Sequence, residues 1–279
     1  MTKIISLLLC AALLQPNAQY QMLNAERSMA DHPWYGLRVA FLGDSITDPK
    51  AARDKEKWWT FLERWLHLTA YVYAVSGRQW KDLPKQADQL KAQHGDDVDA
   101  ILVFMGTNDF NAAVPVGEWF DETEEQVLAA VHAPKAMTTR KKRTPRMDNT
   151  TYRGRINIAL DKLKRMYPTK QIVLLTPIHR AYAEFSDNNI QPTEAYQNAC
   201  GEYFDRYVES VKEAGNIWAV PVIDLNAACG LFPLMEEHHP YFRNSQTDQL
   251  HPSDAGYERI ARTMLYQLAA LPGKFLDFE

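Results

Sequence analysis

Short apolar runs alternate with longer stretches of helical spacing along this chain, and that alternation predicts the fold. Leu37 to Leu42 reads as a first strand, Tyr71 to Val75 as a second, and Ala100 to Met105 as a third. The third run is unbroken by polar residues, as expected of a strand covered on both faces. Gln171 to Thr176 and Val220 to Leu225 predict strands four and five. Between them, Trp58, Phe61, Leu62, Trp65 and Leu66 recur at the spacing of an amphipathic helix over Trp58 to Leu68. Further helices are predicted at Leu83 to Gln93, Arg155 to Met166 and Thr193 to Ala214, the last ended by Gly215 as a left-handed cap. A closing helix runs from Pro252 to Leu271, with proline in its first turn, where the missing N–H costs nothing. Strands alternating with helices imply an α/β fold with a central five-stranded parallel sheet, flanked by helices on both faces.

Two stretches depart from this rhythm. Residues 110–150 form an insertion with an acidic run (Glu118, Asp121, Glu122, Glu124, Glu125) and a basic cluster (Arg140, Lys141, Lys142, Arg143, Arg146). A loop of that length is uncommon without structure or function of its own. The second stretch, His179 to Pro192, follows strand four. With 279 residues, 46% of them apolar and 24% charged, the chain has the composition of an ordinary globular protein. A net charge of −4 and the acidic run beside the basic one favour a solvated, self-paired insertion over a nucleic-acid surface.

At the N-terminus, Lys3 precedes an apolar run from Ile4 to Leu14 that leads to Gln15-Pro16-Asn17-Ala18. Residues 1–18 therefore read as a secretory signal peptide, too short to span a bilayer, and predict an exported protein, periplasmic or extracellular. A lipoprotein signal at Cys10 is the lesser reading, because only nine residues precede it. Residues 19–34 form a polar lead-in and 35–279 a single domain. Cys200 and Cys229 then remain, compatible with one disulfide or with two separate thiols.

Three of the predicted strands end in chemistry. Gly43-Asp44-Ser45 follows strand one, Gly77 follows strand two, and Gly106-Thr107-Asn108-Asp109 follows strand three. All fall on the sheet edge where α/β proteins bind ligands. A serine hydroxyl needs an adjacent base to become a nucleophile, and histidine is the usual one. Asp248 and His251, three apart, supply a base and the carboxylate that orients it. Backbone N–H groups of Ser45 and Gly77, with the Asn108 carboxamide, supply donors for an oxyanion. Blander readings exist for each: Ser45 as a helix cap, Asn108 as a turn former, and Asp44 and Asp109 as loop braces. Trp80, Phe110, Trp119, His179 and Arg180 sit in or near the edge loops and are candidates to line a substrate pocket, Arg180 by gripping an anionic group. Each is equally consistent with a residue packed on its own loop. His238-His239 has no ligand spacing, and no metal or cofactor is expected. The Gly-x-Gly-x-x-Gly and phosphate-loop patterns are absent, as is the Gly-x-Ser-x-Gly elbow of the α/β-hydrolases.

Taken together and in order, the four blocks resemble those of the SGNH, or GDSL-type, hydrolases. They are Gly43-Asp44-Ser45-Ile46-Thr47, Gly77 within Val75-Ser76-Gly77-Arg78, Gly106-Thr107-Asn108-Asp109, and Asp248-Gln249-Leu250-His251-Pro252. The first block carries Ser-Ile where the family has Ser-Leu, and Val75 stands where an asparagine often precedes the glycine of the second. The resemblance implies a three-layer α/β/α sandwich, flavodoxin-like in its sheet, and ester hydrolysis without a metal. It implies Ser45 as nucleophile, His251 as base and Asp248 as its orienter, with Ser45, Gly77 and Asn108 as oxyanion donors. By analogy the substrate is a small ester, an acylated carbohydrate first, with no nucleic-acid partner and no stable membrane span. A lysophospholipase or thioesterase using the same triad, and a non-catalytic glycan-binding protein on a retired hydrolase fold, stand as alternatives.

Overall fold

The computed structural model describes residues 29–51, 56–130 and 132–275. The leader read at residues 1–18, Cys10 and most of the lead-in lie outside them. The elements, in chain order, are β1 (Arg38–Gly43), α1 (Trp58–Leu66), β2 (Thr69–Val72), α2 (Leu83–His94), β3 (Ala100–Phe104), α3 (Thr107–Asn111), β4 (Phe120–Ala129), β5 (Ala136–Pro145), α4 (Tyr152–Met166), β6 (Gln171–Leu175), β7 (Ala183–Ser186), β8 (Asn189–Gln191), α5 (Phe204–Trp218), β9 (Val222–Ile223), α6 (Leu225–Ala228), β10 (Phe242–Asn244), β11 (Asp248–Pro252) and α7 (Asp254–Leu268).

A five-stranded parallel sheet in the order β2-β1-β3-β6-β9 forms the middle layer. Alternation along its strands sends side chains to two separate cores, which is why β3, and β1 and β6 after their first residues Arg38 and Gln171, read as apolar runs. Ala40, Leu42, Ile101, Val103, Ile172 and Leu174 face a core closed by α2, α4 and α5. Val39, Phe41, Leu102, Phe104, Val173 and Leu175 face one closed by α1, α6 and α7. The lead-in joins the second core: Trp34 is fully buried, and its indole N–H donates to the Leu271 carbonyl at 3.0 Å.

Four sequence expectations need correction. The helix predicted from Thr193 starts only at Phe204, because residues 193–203 are turns bound by side chains. Asn198 Oδ1 there accepts from the N–H groups of Cys200 and Glu202. Gly215 does not cap α5 but lies inside it, and the left-handed cap falls on Ala219 (φ 50°). The fifth strand shrinks to two residues, since Asp224 turns to cap α6 by accepting from Ala227 N–H. Pro252 ends β11 rather than opening α7, whose cap is Ser253.

The 110–150 insertion contains a two-stranded ribbon, β4 against β5, with Glu122 opposite Arg143 and Glu124 opposite Lys141. Glu122 pairs with Lys141 and Arg143, Glu125 with Lys142, and Asp121 with Arg146. At the base of the ribbon, the Asn157 amide donates to the carbonyls of Trp119 and Arg146 and ties the two strands to α4. Cys200 and Cys229 are free thiols, one exposed and one buried. No described helix is long and apolar enough to cross a membrane.

A second sheet, antiparallel in the order β10-β11-β7-β8, has no counterpart among the predicted strands. It matters because β11 carries Asp248 and His251, while Ser45 follows β1 of the main sheet.

Gly215 lets α5 lie directly on the β9 segment, where an added Cβ would strike the Val222 Cγ2 methyl and come within 2.9 Å of the Val220 carbonyl. Alanine ordinarily stabilises a helix interior relative to glycine, but overpacking here outweighs that gain. Gly215→Ala is expected to lower stability by about 1–3 kcal/mol in urea unfolding.

Candidate active site

Ser45 follows β1 on a tight turn in which Thr47 and Asp48 N–H both donate to the Asp44 carbonyl. The turn is braced from three sides. Gln86 of α2 accepts from Gly43 N–H at 2.9 Å and donates to its carbonyl at 2.8 Å, so one buried carboxamide serves both backbone groups. Lys57, buried at the start of α1, donates to the Ser45 carbonyl at 3.3 Å and to the Tyr257 hydroxyl at 2.9 Å. Asp48 accepts from both N–H and Oγ of Ser76 at 2.8 Å, fastening the Gly77 turn beside Ser45. Gly77 sits at φ +74°, a conformation glycine adopts without penalty.

The imidazole of His251 lies between serine and carboxylate. Its Nε2 is 2.8 Å from Ser45 Oγ, and its Nδ1 is 3.0 Å from both Asp248 oxygens. The tautomer that satisfies both partners carries its proton on Nδ1, leaving Nε2 to accept from the serine hydroxyl. Asp248 Oδ1 also accepts from His251 N–H at 3.0 Å, so one carboxylate fixes both backbone and ring. Arg243 of β10 donates to Asp248 Oδ2 at 3.1 Å from the far side.

Burial pushes the Asp248 carboxyl up, but the hydrogen bond and charge of His251, with Arg243 beside it, bring it below the usual carboxylate range. His251 itself is held below the ordinary histidine value. Burial is the main cause and the cations of Arg243 and Lys57 add to it, outweighing the Asp248 partner.

Behind the site sits a layer of buried charge. Burial drives the Asp44 carboxyl up to about 7, although Ile46 N–H donates to it. Asp109 is pushed up to about 6 by burial, against the pull of Trp80 N–H and Arg155. Asp109 thereby ties the Asn108 loop to α4 and to the turn at Trp80. Asn108 gives its side-chain amide to the Arg78 carbonyl at 3.0 Å and to Asp44 Oδ2 at a long 3.3 Å. Neither Ser45 N–H nor Gly77 N–H has a hydrogen-bond partner among the described residues.

Ser45, Gly77, Asn108, Asp248 and His251 all line one cavity of about 810 Å³. The five residues nominated for its walls do not. Trp80, Phe110 and Trp119 are buried in the core under α2, α4 and α5. Arg180 is also buried, donating to Thr107 and Gln191. His179 binds Glu194 and lines a different, smaller cavity of about 220 Å³. Burial in the core takes the large apolar side chains of Trp80, Phe110 and Trp119 out of water, which an open cavity would not do. The walls come instead from the second sheet: Glu184, Phe185, Asn189, Gln191, Arg243 and Asn244. Phe185 stands 5.5 Å from the His251 ring, inclined at 66°. One signal for this wall was present in the sequence, the Asp187-Asn188 pair, which forms the two-residue turn of the β7–β8 hairpin.

This arrangement of sheet and site is that of an ester hydrolase. The chain belongs to the GDSL-like lipase/acylhydrolase family, whose model matches residues 41–259. A Lactobacillus plantarum protein of solved structure superposes with a TM-score of 0.65 at 23% identity, over 87% of this chain and 99% of that one. A structure from Chitinophaga pinensis, described as a possible lipase, gives 0.62 at 20% identity over 84% and 98%. The lipase/acylhydrolase of Enterococcus faecalis gives 0.50 at 17% identity over 84% and 96%. At these identities the likeness is one of fold. No curated protein matches the chain.

Gln86→Leu is isosteric in outline but orphans the buried N–H of Gly43 and leaves its carbonyl only the 3.2 Å bond from Val75 N–H. An orphaned buried donor costs roughly 1–3 kcal/mol, so the variant is expected to show a drop in the thermal midpoint together with reduced esterase turnover.

Proposed function

We propose that this hydrolase is a serine esterase working through an acyl-enzyme, and that its natural substrates are acetylated carbohydrates. The observation that carries the mechanism is the 2.8 Å contact between Ser45 Oγ and His251 Nε2, with Asp248 behind the ring, at the wall of an open cavity. In this reading His251 takes the serine proton as Oγ attacks the ester carbonyl, and Asp248 stabilises the imidazolium that forms. The developing oxyanion is met by the N–H groups of Ser45 and Gly77, which have no other described partner. The Asn108 amide adds a third donor by giving up its long contact to Asp44. His251 then protonates the departing alcohol and activates water to release the acyl group.

The carbohydrate reading draws on the cavity walls. Ser76, Asn189, Gln191, Asn244, Thr247 and Ser253 contribute polar side chains, whereas Ala51, Phe185 and Leu250 are the main apolar ones. A long acyl chain needs a continuous apolar trough, which this lining does not offer. The leader read at residues 1–18 would place the enzyme outside the cytoplasm, where polymeric glycans are met. Ser45→Ala should lower kcat on p-nitrophenyl acetate by on the order of 10⁴ or more with KM little changed. Wild-type protein should favour acetyl over longer p-nitrophenyl esters and release acetate from acetylated xylan. A preference for chains of about eight carbons or more would turn the assignment towards lipid-type substrates.

The pH profile follows from the charges around His251. Catalysis requires the neutral imidazole, so kcat/KM rises as pH climbs through its pKa, with a midpoint below about 6.5. Arg243→Met removes a cation that disfavours the imidazolium, so the histidine pKa rises and the acid limb should move to higher pH. A limb that stays in place, or moves down, contradicts the electrostatic account.

A further inference from the structure

Three carboxamides on the cavity wall are oriented by groups whose hydrogen-bonding sense is fixed. Asn244 Oδ1 accepts from the backbone N–H of Gln246 at 2.8 Å and of Thr247 at 3.0 Å. Gln191 Oε1 accepts from Arg180 Nη2, and a guanidinium can only donate. Gln191 Nε2 must then be the donor to Asn189 Oδ1 at 2.9 Å. In every case the oxygen is committed to the protein, and these three cavity-lining residues keep amide N–H groups without a partner among the described residues. Phe185, 43% exposed, stands among them and beside the His251 ring.

Arg180 explains how the row is held. It is only 2% exposed, and none of its guanidinium hydrogen bonds among the described residues goes to a carboxylate. Burial brings its pKa down to about 10, so the charge is kept at a cost. Its donors are divided between Thr107, next to Asn108, and Gln191 of the β7–β8 hairpin. A cation placed this way rigidifies one wall of the cavity against the loop that carries the proposed oxyanion donor.

We propose that the β7–β8 hairpin and Asn244 form the subsite for the alcohol portion of the substrate, and that it takes a pyranose ring. The apolar face of the sugar stacks on Phe185, and its hydroxyl and ring oxygens accept from the amide N–H groups of Asn189, Gln191 and Asn244. Arg180 is the positioning residue of this subsite and does not touch the sugar. The inference rests on the carbohydrate-esterase reading and extends it, since it says which residues recognise the sugar.

The test compares kcat/KM on acetylated xylobiose with kcat/KM on p-nitrophenyl acetate, which has no sugar ring. Phe185→Ala should lower the ratio of the two by about tenfold or more, and Phe185→Trp should restore most of it. Asn189→Ala, at an exposed position, should lower the ratio in the same direction. Arg180→Lys keeps the charge but cannot reach Thr107 and Gln191 together, and should lower the ratio as well as the overall rate. Because each result is a ratio within one preparation, a general loss of folded protein cancels. Ratios within about twofold of wild type across these variants would overturn the subsite while leaving the carbohydrate reading intact. If wild-type protein hydrolyses p-nitrophenyl acetate in a Ser45-dependent way but leaves acetylated xylobiose untouched, the carbohydrate reading falls and the subsite with it.

Discussion

Two sheets meet at a single imidazole. Ser45 belongs to the turn after β1 of the parallel sheet, and His251 to β11 of the antiparallel one, 206 residues later in the chain. The contact between them is useful only if each partner is held independently of the other. On the serine side that restraint comes from Gln86, Lys57 and Asp48, which grip the backbone around Gly43, Ser45 and Ser76. On the histidine side it comes from Asp248, which bonds ring and main chain at once, and from Arg243 beyond it. In the proposed mechanism, preorganisation of this kind keeps Ser45 and His251 in register without reorganisation when the ester is attacked.

Such a site is costly to fold around. Asp44, Asp109, Arg155 and Arg180 are all buried, Asp44 beside Ser45 in sequence, Arg155 bonded to Asp109 and Arg180 to Thr107. Taking ionic groups out of water costs several kcal/mol each unless they are paired and hydrogen-bonded. Asp109 and Arg155 meet that condition directly at 2.9 Å. Asp44 meets it only in part, and its carboxyl sits near neutrality as a result. The two raised carboxyl values have a defined consequence for stability. A folded-state pKa above the unfolded one favours the protonated form, so this contribution is full in acid and is lost as pH rises through about 6 to 7.

Much of this was legible in the chain itself. β1, β3 and β6 are sandwiched between two cores, so apart from Arg38 and Gln171 at the first positions of β1 and β6 their residues are apolar and each stands out as a run. The family blocks after them are short, local and in order, and the helices α1, α2, α4 and α7 keep a clear apolar stripe. What stayed hidden has a common cause. The second sheet is built from strands of three to five residues, too short for any periodicity to develop, and its two hairpins are joined only by the distant pairing of β11 with β7. Helical spacing from Thr193 onwards is misleading because Asn198 and Gly201 satisfy the backbone locally instead. Gln86, Asp48, Lys57, Arg180 and Arg243 act on main-chain atoms or on other side chains, and nothing in their spacing announces such contacts. The aromatics nominated for the pocket failed for a related reason. A large apolar side chain near a strand end gains more from the core than from an open cleft, and Trp80, Phe110 and Trp119 all went there.

The β4–β5 ribbon carries its acids along one strand and its bases along the other, and both outer edges face solvent. Unprotected edges of this length invite a second molecule to add its own strand. Across the width of this ribbon, however, the charge is separated into a negative margin and a positive one. Any two-fold arrangement that laid β4 against its own copy, or β5 against its own copy, would bring equal charges face to face. The ribbon therefore discourages symmetric self-association by electrostatics alone, a safeguard that weakens as salt is added.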